Sequence, residues 1–138
     1  MTVSDLVRSG ESPADFFSRS IFTYGHRNVV RAVAGGLVRS GSVDGYVWEV
    51  LTTEEPELTQ KTKVISKSEW VGFPPFCARK DRMGDGNIQA FQDALLALGE
   101  LETGGYALEL LQLDGLVRGE PELFGGIAER MKDLEALR

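Results

Sequence analysis

The 138-residue chain is 42% hydrophobic and 26% charged, proportions typical of one globular domain large enough to bury a core. Its 21 acidic residues outnumber 15 basic ones, which are scattered along the chain, and this argues against nucleic acid as a partner. One cysteine and one histidine exclude an intrachain disulfide and the usual cysteine-rich or histidine-rich zinc sites. We therefore expect neither a metal nor a cofactor.

Signals for membrane insertion and export are absent from the sequence. No apolar run approaches the roughly 20 residues of a membrane-spanning helix. The opening MTVSDLVRSGES does not have the basic and then apolar pattern of a signal peptide. We expect a chain that does not direct its own export, although it could be a piece cut from a longer exported protein.

In the first third of the chain, a short helix is predicted at residues 3–8, where a Ser-Gly step ends it. A Ser-Pro step at residues 12–13 predicts one further helical turn. The β-branched and aromatic run SIFTY, residues 20–24, predicts a strand. From His26 apolar residues recur every three or four positions, which predicts an amphipathic helix that a Gly-Gly pair ends.

In the remainder of the chain, residues 42–48 are predicted to pass from a strand into a helix, which Pro56 interrupts. Two further strands are predicted at residues 62–68 and 75–80. Apolar faces with helical spacing follow, so residues 81–138 are predicted to form a helical C-terminal tail. Strands alternating with helices, followed by helices alone, predict the α/β fold class.

The first candidate site is the step from the predicted strand into the helix that begins at His26. Such a helix N-terminus has unpaired N–H groups and a partial positive charge, which attract an anion. Gly25, after Tyr24, would let a ligand approach the backbone without a Cβ in the way. His26 and Arg27 would add side-chain donors. The structural alternative is a plain strand end and helix start, with His26 capping a neighbouring carbonyl.

The second candidate site is SVDGYVWE, where Asp44 falls at the end of a predicted strand. Ligand groups in open α/β sheets lie at such positions. Tyr46 and Trp48 would form an apolar wall for a ligand. The structural alternative is an Asp-Gly turn or a helix N-cap at Asp44, with both aromatic residues in the core.

Enzymatic chemistry is not indicated by the sequence. The single histidine and cysteine lie far apart, and no G-x-S-x-G nucleophile motif accompanies the serines. The segment RMGDGNIQAF has only part of the acidic spacing of a calcium loop. We interpret it as a plain loop followed by a helix N-cap.

Four segments in a fixed order resemble the periplasmic substrate-binding proteins of phosphate, phosphite and phosphonate ABC transporters. They are SIFTYGHRNVVRAVAGGLV, SVDGYVWEVL, PELTQKTKVISKSEWVGFPPFCARKD and GGYALELLQLDGL. The resemblance covers residues 12–137 but only the C-terminal half of a typical family member. The missing front half would include the Ser/Thr-rich helix start that supplies most phosphate-binding groups, and Thr2 and Ser4 do not reproduce its motif.

The resemblance implies part of a type 2 periplasmic-binding-protein fold, in which two α/β lobes joined by hinge strands close on an oxyanion. This chain would supply one small mixed sheet flanked by helices, with the helical tail. Residues 1–61 would form a segment of the second lobe, residues 62–80 the crossing strands of the hinge, and residues 81–138 the helical end of the first lobe. Together they would form one compact unit.

Site residues are also implied by the resemblance. Gly25-His26 matches a ligand-binding turn at a helix N-terminus, and Asp44 matches an acidic residue that can meet the amine of a phosphonate ligand. Arg27 and Arg39 depart from the family, whose members usually have Asp at both positions. An extra positive charge near the cleft would favour a more anionic ligand, or mark a binding function that has drifted.

The function implied is a solute-binding domain for a small oxyanion, without enzymatic activity. It would serve as the binding component of an ABC transporter or as the sensory input domain of a signalling protein. Its partners would be the ligand and the permease or signalling domain, and its location the periplasm. The alternative is an interaction or oligomerisation module that keeps the fold without a ligand. A further hypothesis is a homodimer that covers apolar faces left by the missing lobe.

Overall fold

The computed structural model describes residues 2–135, in which eight α-helices and three short 3₁₀ turns are joined by irregular segments. Residue 1 and residues 136–138, the ends of the predicted lobe segment and helical tail, lie outside the described residues. The helices are α1 (Thr2–Arg8), α2 (Pro13–Phe16), α3 (His26–Ala34), α4 (Gly45–Glu54), α5 (Pro56–Thr59), α6 (Gly86–Leu96), α7 (Glu102–Leu110) and α8 (Gly125–Glu135). The 3₁₀ turns are Lys80–Arg82, Leu98–Glu100 and Pro121–Phe124.

The helices begin and end close to the predicted signals. Gly10 has a φ of 81° just after α1, and Gly36 has a φ of 75° just after α3. These left-handed positions favour glycine, because a Cβ is strained there. Pro56 separates α4 from α5, since proline cannot continue the helix that precedes it. The predicted helices at residues 3–8 and from His26 are confirmed, as is the helical character of the tail within its described part, residues 81–135.

The predicted α/β class is wrong, because no strand and no sheet form within residues 2–135. The predicted strands at residues 20–24, 62–68 and 75–80 are irregular, and residues 42–44 are irregular up to the start of α4. β-Branched and aromatic residues favour an extended backbone, but a strand exists only when a second segment pairs with its N–H and C=O groups. No described segment pairs with these three runs, so their local preference is not realised as a sheet.

The chain divides into two compact units, Met1–Trp70 with Gly125–Arg138, and Val71–Phe124. The chain thus leaves the first unit after Trp70 and returns to it at Gly125. The division predicted at residues 61/62 and 80/81 stays a prediction.

The first unit has a small apolar core and a buried polar cluster. α3 packs against α4 and α5, where Val30 is 2% exposed and Leu51 is 5% exposed. α1 packs against α8, and there the fully buried Ser4 donates its hydroxyl hydrogen to Asp133. Arg130 of α8 is also buried and is paired with carboxylates on other segments. Polar contacts therefore help to hold α8 against α1.

The second unit is built on close backbone packing. α7 lies against the 3₁₀ turn Leu98–Glu100, with Leu108 and Gly104 buried at the contact. A Cβ added to Gly104 would overlap the carbonyl oxygen of Leu98. The Gly72 N–H donates to the Leu123 carbonyl at 2.9 Å. These approaches are possible because glycine has no side chain.

Candidate functional site

The turn Tyr24-Gly25, which leads into α3, has an unusual backbone. Tyr24 has a φ of 56°, a left-handed conformation that costs a non-glycine residue about 1–2 kcal/mol. Its side chain is 97% exposed, so burial of the ring does not offset that strain. Gly25 has a φ of 173°, an extended backbone that any residue adopts. Strained residues of this kind cluster at functional sites.

Gly25 is not required by the packing of the protein itself. A Cβ built on it would lie 3.5 Å from the Asn28 Nδ2 atom, an ordinary van der Waals distance. Without a Cβ at Gly25, another molecule can approach the backbone of this turn closely.

The N-terminus of α3 carries N–H groups without acceptors. Gly25 is its N-cap residue and provides no side-chain acceptor. Among the described residues, none accepts a hydrogen bond from the backbone N–H groups of His26, Arg27 or Asn28. These groups add to the helix dipole, equivalent to about half a positive charge, at the start of α3. The first turn of α3 is therefore an open donor site.

His26 and Asp44, both predicted site residues, lie directly against each other. The Asp44 backbone N–H donates to His26 Nδ1 at 3.2 Å. Because Nδ1 accepts this bond, the proton of the neutral imidazole is on Nε2. His26 is exposed, so its Nε2–H is a donor that faces outside this contact. The contact joins the N-termini of α3 and α4.

The Asp44 side chain caps a helix, as the structural alternative for this residue predicted. Its Oδ1 accepts from the Val47 N–H at 3.2 Å, so the carboxylate caps α4. Its own N–H is taken by His26. The N-terminus of α4 is thus occupied by side chains of the protein, whereas that of α3 is open. A role for Asp44 with a ligand stays a prediction.

Arg27 is turned toward a partner within the protein. Its Nε and Nη2 form a two-bond pair with Glu55, with Nη2 at 2.7 Å from Oε2. Arg31 approaches the same carboxylate at 4.0 Å. The hydrogen bond from Arg27 holds the pKa of Glu55 below its usual value and raises that of Arg27. The charge that the sequence places beside the site is therefore compensated by Glu55.

The remaining predicted residues are aromatic or lie elsewhere. Tyr46 is half-buried in the first turn of α4, and the ring of Tyr24 is almost completely exposed. Arg39 lies in an irregular segment between α3 and α4.

Asp85 accepts from the Asn87 N–H at 2.9 Å and caps α6, which confirms that RMGDGNIQAF is a loop and a helix N-cap.

Two contributors to the site were not predicted, Thr23 and Asn28. The Asn28 side-chain amide donates to the Thr23 carbonyl at 3.0 Å, and the Thr23 hydroxyl donates to the Gly25 carbonyl at 3.2 Å. Both bonds span the strained turn. The position of Asn28 in the first turn of a helix whose N-cap is glycine was the only local signal for this role.

Clusters of metal-ligating side chains and membrane-spanning helices are not found among the described residues. No group of three or more His, Cys, Asp or Glu side chains within residues 2–135 is arranged to hold a metal ion. Within the same residues, no helix combines the length and the apolar character that crossing a bilayer requires. Cys77 is free and exposed.

Comparison with known protein families gives a match over most of the chain. Residues 3–124 match the family described as ABC transporter, phosphonate, periplasmic substrate-binding protein. No curated protein matches the chain significantly. The match includes the open turn, α3 and the start of α4, and it extends over most of both units. The chain therefore belongs to the family of periplasmic substrate-binding proteins of phosphonate ABC transporters.

Proposed function

We propose that this protein binds a small oxyanion of the phosphate, phosphite and phosphonate class at the N-terminus of α3. In this proposal it is the binding component of an ABC transporter, acts in the periplasm and delivers its ligand to a permease. It performs no chemistry on the ligand. The family supports the transport role, because its members are binding proteins rather than enzymes.

The observation that carries the proposal is the open first turn of α3. The N–H groups of His26, Arg27 and Asn28 have no acceptor among the described residues. The corresponding ends of α4 and α6 are capped by Asp44 and Asp85, whereas α7 also lacks a side-chain cap. An oxyanion would supply acceptors for the α3 donors and interact favourably with the helix dipole.

His26 adds a side-chain donor whose tautomer is set by the protein. With Nδ1 bonded to the Asp44 N–H, Nε2–H is free to donate to an oxygen of the ligand. Arg27 supplies no net charge in this arrangement, because Glu55 binds its guanidinium. The affinity would then come from oriented neutral donors and the dipole. This does not require the more anionic ligand that an uncompensated arginine would favour.

The test is a calorimetric titration of the full-length protein, as its gene encodes it, with phosphate, phosphite and methylphosphonate. We expect saturable binding of at least one of them. His26→Ala should lower the affinity by about threefold to tenfold or more, the net contribution of one hydrogen bond. His26→Gln keeps an N–H donor, so its affinity should lie between those of the parent and of His26→Ala. No binding of any of the three by the parent protein would refute the proposed function.

Exposed apolar side chains favour an additional role in binding a macromolecular partner. Phe22 is 89% exposed, Ile65 82% and Trp70 96%, and all belong to the first unit. Apolar groups of this size on a surface often mark an interface. We propose a second copy of this chain as the partner. Light scattering over a range of concentrations tests the second copy, and a strictly monomeric protein throughout would exclude it.

A further inference from the structure

The turn that precedes α3 is held by a side chain from the first turn of that helix. The Asn28 Nδ2 donates to the Thr23 carbonyl at 3.0 Å, across Tyr24 and Gly25. The Thr23 hydroxyl donates to the Gly25 carbonyl at 3.2 Å, and that carbonyl also accepts from the Val29 N–H at 3.1 Å. One of these three bonds thus closes the turn, and the other two attach it to the start of the helix.

This fastening opposes the preference of Tyr24. A tyrosine in the left-handed conformation relaxes to a negative φ unless the surrounding structure prevents it. The ring of Tyr24 is 97% exposed and so does not anchor the residue. If Tyr24 relaxed, the direction of Gly25 and of the chain ahead of α3 would change. The segment could then cover the N–H groups that the proposed ligand needs.

We propose that Asn28 is the positioning residue of the oxyanion site: its amide fixes the Thr23–Gly25 turn so that the first turn of α3 stays open. This inference rests on the proposed function for its role in binding. Its structural part, the rigidity of the turn, does not depend on any ligand. The two parts can therefore be tested separately.

Asn28→Ala and Asn28→Asp separate positioning from simple helix stability. Both variants lack the N–H donor. Aspartate in the first turn also favours the helix through the dipole, so Asn28→Asp should not lower the thermal stability of the protein. Asn28 is exposed, and neither change affects the core. Asn87→Ala is the matched control, since Asn87 lies in the first turn of α6 and is exposed.

The readout without ligand is the ¹⁵N relaxation order parameter of Tyr24, Gly25 and His26. We expect rigid values of about 0.85 in the parent and in Asn87→Ala, and values below about 0.6 in both Asn28 variants. Rigid values in Asn28→Ala would overturn the proposal, whatever the binding data show.

The readout with ligand is the affinity of the full-length protein for methylphosphonate, with phosphate and phosphite in parallel. We expect a loss of about twofold to tenfold in Asn28→Ala and none in Asn87→Ala. Full affinity in Asn28→Ala would overturn the positioning role while leaving the proposed function intact. No binding by the parent would refute the proposed function, and with it the role of Asn28 toward a ligand.

Discussion

Arg130 of α8 holds Glu69 through bonds from two nitrogens of one guanidinium, although the two residues are 61 positions apart. Nε lies 3.0 Å and Nη2 2.8 Å from the same carboxylate oxygen, and Nη2 lies 2.8 Å from the other. Nη1 donates to Asp5 of α1. Glu69 precedes Trp70, where the chain leaves the first unit, and α8 begins where it returns. Arg130 therefore connects α1 to the segment where the chain leaves the first unit and to the helix with which it returns.

Removal of the Arg130 guanidinium is expected to destabilise the first unit. Its side chain is 11% exposed, and Arg130→Ala would leave Glu69 and Asp5 without their partner. We expect the melting temperature to fall by several degrees. Tryptophan fluorescence measures it, since Trp48 and Trp70 both lie in this unit. Lys67→Ala is the control, because Lys67 is 74% exposed and 3.9 Å from Glu49. Equal melting temperatures for the two variants would contradict the prediction.

The same cluster predicts a loss of stability in acid. Arg130 lowers the pKa of Glu69, and Ser4, with Arg8, lowers that of Asp133. Both carboxylates stabilise the folded chain while ionised, and this contribution is lost as the pH falls below their ordinary values of 4.5 and 3.8. Denaturant unfolding from neutral pH to about pH 3 should show the decline. In Glu69→Gln the decline should be smaller; an unchanged slope would exclude Glu69 as its source.

Two adjacent glycines of α7 are expected to respond in opposite ways to alanine. A Cβ on Gly104 would overlap the Leu98 carbonyl, so Gly104→Ala should destabilise the second unit by about 1–3 kcal/mol. Gly105 has no atom within 4 Å of its Cβ position, and Gly105→Ala should stabilise α7 by about 0.5–1 kcal/mol. Circular dichroism in denaturant measures both. Similar effects for the two variants would show that α7 does not pack closely against the Leu98 carbonyl.

Gly25→Ala is expected to change binding without changing the fold. The added methyl group lies at an ordinary distance from Asn28, and φ at this position suits any residue. In the proposed site, a methyl group on the N-cap residue of α3 would hinder an oxyanion that approaches the helix N-terminus. We expect a parental melting temperature and weaker methylphosphonate binding. Gly84→Ala, where the Cβ meets nothing within 4 Å, is the control; parental affinity in Gly25→Ala would place the ligand elsewhere.

Release of Arg27 is expected to strengthen oxyanion binding. Glu55→Gln removes the charge that holds the guanidinium, so the arginine becomes free to add its charge to the start of α3. We expect a higher methylphosphonate affinity that falls again with added salt. Glu57→Gln, an exposed change in α5, should have no effect. Equal affinity in Glu55→Gln and the parent would show that Arg27 does not reach the ligand.

The helices could be predicted because their signals are local. The apolar repeat after His26, the glycines that follow α1 and α3, and Pro56 each act within a few residues of the position that they determine. The strands could not, because SIFTY and the runs after residue 61 have the composition of strands but no described partner. Composition predicted their extended preference and not the pairing on which a sheet depends.

The helix starts around the candidate site were predictable in their positions, and the contacts between them were not. The Gly-His step identified the start of α3, and the alternative of an N-cap identified the role of the Asp44 carboxylate. The bond from Asp44 to His26 spans 18 positions, and the pair of Arg27 with Glu55 spans 28. No periodicity links residues at such separations. Only the packing of α3 on α4 and α5 brings them together.

Because His26 is bonded to Asp44, its NMR signals report on the candidate site without an introduced label. His26 is the one histidine of the whole sequence, so a proton spectrum of the protein has a single set of imidazole signals. Its ring nitrogens differ, one accepting from a backbone amide and the other bearing the proton. Any molecule that settles on the first turn of α3 would shift these signals. The protein thus contains its own spectroscopic reporter at the place where a ligand is expected.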